Sequence, residues 1–178
     1  EHDRVRITKL AFNNLHTGKW RKSFTPTASD KCPSCQCSNE TQQHVFRCPA
    51  PSRILQRTAA LSSLKAGLKC LYTSPELILQ LEQGIHQWER APHMNPTTTF
   101  RNNDAFSAHI HDALNNQHDI GWENLLRGRV STNWGTAQDA FFRFEKRNRK
   151  YYNHATWAPQ FIHLIWAYSK SIWLERNE

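Results

Sequence analysis

Cys32, Cys35, His44 and Cys48 are the residues in this chain whose types and spacing point most directly to chemistry. They form the pattern C-x2-C-x8-H-x3-C. Three thiols and an imidazole in two close pairs suit a tetrahedral zinc ion. Cys32 and Cys35 fit one tight turn, with Pro33 presetting its φ. His44 and Cys48, four positions apart, share one face of a helix. Cys37 offers a competing thiol, but the C-x2-C turn favours Cys35. A zinc held by four protein ligands has no open position for a reactive water, so the expected role of the Zn2+ is structural.

The elements that must position these ligands read as helices. Residues 3–17 place Ile7, Leu10, Ala11 and Leu15 on one face, with Gly18 as a stop. A basic linker, Lys19-Trp20-Arg21-Lys22, leads toward the cysteine turn. Trp20 is expected to cover the small core of the finger, with stacking on a base as the alternative. Ser38 or Asn39 is a candidate N-cap for the ligand helix, which Pro49 and Pro51 should end.

Residues 52–69 predict a helix burying Ile54, Leu55, Ala59, Leu61, Leu64 and Leu68, with Arg53 and Arg57 on other faces. Ser74-Pro75-Glu76 starts another, running through Trp88. Residues 91–101 read as a loop, and Asp104 as the cap of the next helix. Helices around Trp122, from Trp134 to Phe144 and over 157–176 complete the chain, with no convincing period-two alternation. Cys70 is expected to be a small buried hydrophobe. The fold class is therefore all-α, with one zinc-stapled loop near the N-terminus. Residues 1–72 form a basic helical zinc-binding region, and residues 73–178 a helical C-terminal region packed with it.

Charge divides along the same line. Residues 1–72 hold 12 Lys/Arg against 4 Asp/Glu, whereas residues 73–178 hold 11 of each, so the whole net charge of +8 surrounds the cluster. A zinc with three thiolates subtracts only about one charge. The surface left over attracts phosphate. Its expected contacts are Arg4, Lys9, Lys19, Arg21, Lys22, Lys31, Arg47, Arg53 and Arg57. A second cationic run, Arg143, Lys146, Arg147, Arg149 and Lys150, follows a helix, where cations also complement the helix dipole.

Several function classes find no support. There is no Gly-rich phosphate loop, no G-x-S-x-G and no Asp-Asp pair of the two-metal polymerase type. His109, His111 and His118 read as surface histidines. Four of the five cysteines lie between positions 32 and 48, a metal cluster and not a disulfide framework. A reducing compartment, nucleus or cytoplasm, is expected. No signal peptide or membrane span is apparent, and the chain reads as a piece of something longer.

Cys32-Pro33-Ser34-Cys35 followed by Glu40-Thr41-Gln42-Gln43-His44-Val45-Phe46-Arg47-Cys48-Pro49 resembles the zinc-binding domain that follows the reverse transcriptase of non-LTR retrotransposons. That family shows a C-P-x-C turn, then E-T-x-x-H and, after three residues, C-P. Ile7 to Gly18 is similar to its lead-in helix. Gln117 to Trp122, Leu126 to Ser131 with Trp134 and Gln138, and Trp173 to Asn177 resemble the C-terminal tails of such reading frames. The extra Cys37 departs from the pattern, and the polymerase is absent. The resemblance implies ligand roles for Cys32, Cys35, His44 and Cys48. It also implies a non-catalytic accessory domain that binds RNA or DNA and adjoins an upstream reverse transcriptase region. The alternative is a zinc-stabilised protein-interaction module, which an exposed apolar patch of Trp157, Trp166 and Trp173 would favour.

Overall fold

The computed structural model describes residues 2–94, 105–148 and 150–176. These are largely helical and contain no strand among the described residues. The helices are α1 (His2–Ala11), α2 (Gly18–Phe24), α3 (Gln42–Arg47), α4 (Pro51–Cys70), α5 (Pro75–Arg90), α6 (Ala105–Ile120), α7 (Trp122–Leu126), α8 (Asn133–Phe144) and α9 (His154–Arg176). The 95–101 part of the expected loop, the expected Asp104 cap, Arg149 and Asn177 lie outside the described residues.

The longest helix, α9, is the axis of the molecule. It packs against α1, α3, α4, α7 and α8. Trp157, Phe161, Ile165, Tyr168 and Ile172 recur every three or four residues and are all buried, the spacing of one helical face. Trp157 stacks on Phe161 with centroids 4.6 Å apart. One core cluster runs from Leu10 and Phe46 through Leu61 and Ile85 to Trp134 and Trp173. The two sequence regions therefore share a core.

Several expectations are corrected. Trp157 and Trp173 are buried, at 3% and 9% exposure, so with half-buried Trp166 they form no exposed patch. The Trp157 indole N–H donates to Thr73 Oγ1 and that of Trp166 to the Arg127 carbonyl. α1 ends at Ala11, well short of residue 17, because Asn13 takes the left-handed conformation at φ 59°. Gly18 starts a helix where a stop was expected, and the basic linker is itself helical. In α4 the face is rotated: Arg53 and Arg57 are buried, while Ile54, Leu55 and Ala59 are exposed. Cys70, expected to be buried, is exposed.

Candidate metal centre

The ligand helix is capped by Thr41, whose side chain accepts from the His44 N–H at 3.1 Å. Neither Ser38 nor Asn39 fills that role; Asn39 sits at φ 59° in the turn before it. Thr41 thus fixes the turn from which His44 projects. The adjacent Glu40 is fully buried. Its carboxylate accepts from the Gly18 N–H at 2.6 Å and from Arg176 Nε at 2.9 Å, and it also pairs with Arg176 Nη2. The Gln42 amide donates to the Leu10 carbonyl. Glu40, Thr41 and Gln42 therefore bind α2, α3 and α1 in turn.

The cysteine turn closes on itself. The Cys32 N–H donates to the Cys37 carbonyl, and the Gln36 N–H to the Cys32 carbonyl, both at 2.9 Å. Gln36 takes φ 61° at the bend. Cys37 contributes its backbone here while the residue is exposed, which leaves Cys35 as the thiol grouped with Cys32, His44 and Cys48.

The donor atoms of Cys32, Cys35, His44 and Cys48 all lie within 4.8 Å of one another. Cys32 Sγ and Cys48 Sγ are 3.7 Å apart, and Cys35 Sγ lies 3.3 Å from His44 Nε2. A tetrahedron with Zn–S of about 2.3 Å has S···S edges near 3.8 Å and S···N edges near 3.5 Å. The four residues fit zinc. Around them the apolar cluster is small: Cys32, Cys48 and Ala50, with Cys35 against it. So little apolar area cannot hold a loop closed, and a metal would supply what is missing.

The electrostatics agree. Burial holds the His44 imidazole below its usual pKa, against the opposing pull of Glu40, which favours the neutral form that ligates metal. Burial, with Cys32 and Cys35 nearby, pushes the Cys48 thiol up to about 12. A cation among these thiols reverses that penalty.

Two arginines enclose the centre. Arg53 Nε donates to Ser34 Oγ, and Arg53 Nη1 to Gln56 Oε1. Arg57 Nη1 donates to the Cys48 carbonyl at 2.8 Å, and its Nε lies 3.2 Å from Glu89 Oε1. Arg47 donates to the Glu89 carbonyl and lies over the Trp88 ring. Arg53 and Arg57 were expected to face phosphate; both are instead buried against the finger, and Arg47 is half-buried beside α5. Their burial was hidden in the sequence because their partners are Ser34, a backbone carbonyl and Glu89, all on other elements.

The remaining expected contacts are at the surface. Arg4, Lys19, Arg21, Lys22 and Lys31 are exposed, and Lys9 is half-buried. Lys22 pairs with Asp30 at 3.2 Å. Lys9 Nζ donates to His16 Nε2, and the His16 ring stacks on Trp20 at 4.1 Å. Trp20 in turn meets Phe24, and it stands outside the finger's core cluster.

Among the described residues no other group of His, Cys, Asp or Glu is placed to hold a metal. No helix among them is long and apolar enough to cross a membrane. No family model, curated protein or solved structure matches the chain.

Proposed function

We propose that this protein is a non-catalytic, zinc-stapled accessory domain that binds RNA or DNA through the phosphate backbone. We further propose that it derives from the C-terminal part of a non-LTR retrotransposon reverse transcriptase, in a reducing compartment. The resemblance of the C-P-x-C and E-T-x-x-H pattern supports the second part; α2 supports the first.

Of the seven residues of α2 only Gly18 is buried. Its Cβ-free backbone lies directly on the finger, since a Cβ there would meet the Asp30 carbonyl at 2.5 Å. The Gly18 N–H bonds to the Glu40 carboxylate and the Lys19 N–H to the Glu40 carbonyl. α2 is thus held by backbone contacts, while Lys19, Arg21, Lys22 and Phe24 are exposed and contribute little to the core. A rigidly held helix bearing cations and aromatic rings suits phosphates and unstacked bases. Lys31, Arg4 and Lys9 extend the charge. Arg47, Arg53 and Arg57 instead hold the scaffold.

The test is equilibrium binding of a mixed-sequence oligonucleotide to the wild type and to a Lys19→Gln/Arg21→Gln/Lys22→Gln variant across a salt series. The expected result is salt-dependent binding, weakened about tenfold in the variant, with a smaller salt slope. Affinity independent of both salt and substitution would contradict the reading.

The protein-interaction alternative has one observation in its favour. Ile54 and Leu55 are 47% and 71% exposed on α4, and a shallow groove between α4 and α9 is lined by Ala59, Ala60, Leu64 and Leu164.

A further inference from the structure

The run after α8 is more than a set of charges on a helix end. Arg147 lies over the Tyr72 ring at 4.9 Å and over the Tyr152 ring at 5.6 Å. The two tyrosines meet edge to face at 5.5 Å. One planar guanidinium is therefore held by aromatic rings from two distant segments. Lys150 lies over Tyr151, whose side chain is 62% exposed. Lys69, Tyr72 and Arg147 line a shared surface groove with Pro75, Ile78 and Phe141. Arg143, Lys146 and Arg147 are exposed there, with Glu145 as the acidic residue among them.

Two helix ends present this patch. Tyr72 and Lys146 take φ of 53° and 52°, each just beyond the end of its helix. Glycine is the usual occupant of that conformation, because other side chains are strained in it. Here both strained positions carry side chains of the same patch. The Thr73 N–H bonds to the Leu68 carbonyl and the Arg147 N–H to the Phe142 carbonyl, so each position closes its helix as Asn13 closes α1. The dipole of α8 accounts for cations near its end, but not for the tyrosine cradle.

We infer that Arg147, framed by Tyr72 and Tyr152 with Lys146 and Lys150 beside it, forms a second contact surface for single-stranded nucleic acid. The inference rests on the nucleic-acid reading above and adds a surface that reading does not use. The cations meet phosphates, and the exposed Tyr151 and Tyr72 offer faces for unpaired bases. Exposed rings interleaved with cations favour a single strand over an acidic peptide, whose Asp and Glu side chains carry no aromatic ring to stack. The surface is remote from the finger, because α4 runs between them: its first residue Pro51 follows Cys48 closely and its last, Cys70, precedes Tyr72. Twenty helical residues span about 30 Å.

The test uses the whole zinc-loaded chain and a fluorescent mixed-sequence 20-nucleotide strand in a salt series. The wild type is compared with Lys146→Gln/Arg147→Gln/Lys150→Gln and with the α2 triple variant. Lys150→Glu alone, at an exposed turn position, guards against a folding defect. The expected result is about a tenfold loss in the new triple variant, a salt slope smaller by about two, and about threefold loss for Lys150→Glu. Unchanged binding in both of these, with loss only in the α2 variant, overturns this inference and leaves the α2 reading standing. No binding by the wild type overturns both. Displacement of the strand by polyglutamate at equal charge concentration, equally in wild type and Tyr151→Ala, overturns it in favour of an acidic protein partner.

Discussion

Glu40, at the entrance to the ligand helix, and Arg176, in the last turn of α9, form a buried ion pair across 136 positions of sequence. The Arg176 side chain is 8% exposed and that of Glu40 is fully buried. The pair ties the finger to the central helix of the fold. Because Glu40 also accepts the first N–H of α2, the same carboxylate sets where the basic helix sits.

Breaking this pair should cost more than the pair is worth. Glu40→Gln or Arg176→Met leaves its partner's charge or donors buried without a match, a loss of about 3 kcal/mol. Urea unfolding of the zinc-loaded protein measures it. The double variant should recover part of the loss.

Gly18→Ala should loosen the finger. The added methyl meets the Asp30 carbonyl at 2.5 Å, a backbone atom that cannot swing away. Destabilisation of about 1–3 kcal/mol is expected, together with weaker oligonucleotide binding. Thermal unfolding and the salt series check both.

Gln117→Leu should separate fold stability from metal binding. The fully buried Gln117 accepts from the Ser131 N–H and the Trp134 indole, and donates to the carbonyls of Gly121 and Arg129. Its loss strands two buried donors, the Ser131 N–H and the Trp134 indole N–H, for about 2–4 kcal/mol. Zinc content should not change. The tail stretches quoted from the sequence thus carry architecture: Gly84 admits the Trp122 ring and Gly128, at φ 87°, admits that of Trp166.

The metal-free protein should weaken in alkali. Burial raises the Cys48 thiol from its ordinary 9.0 to about 12. A folded-state pKa above the unfolded one means the fold prefers the protonated thiol. That contribution is fully present below about pH 9 and is lost as pH rises toward about 12. With zinc bound the thiolate is already formed, so the loss should vanish. Chemical denaturation at pH 7.5 and 10, with and without zinc, checks the sign.

The metal cluster and the helical class were legible in the sequence, because ligand spacing and the recurrence of apolar residues are local properties. The Ser74-Pro75 start of α5 was legible for the same reason. What escaped was decided by remote partners. Arg53 and Arg57 look solvent-bound until Ser34, the Cys48 carbonyl and Glu89 are brought to them. Ile54 and Leu55 look buried until that rotation of α4 turns them outward. Gly18 has two meanings, helix stop and close backbone approach, and only the position of Asp30 chooses between them. Asn13 was the real terminator of α1, by adopting a left-handed conformation that Asn tolerates.

The closed four-ligand staple is tested most directly by counting zinc in the wild type, Cys35→Ser and Cys37→Ser proteins. One zinc per chain in the wild type and in Cys37→Ser, with loss in Cys35→Ser, is the predicted result. Zinc retained by Cys35→Ser but lost with Cys37, or no zinc in the wild type purified without chelator, would contradict it.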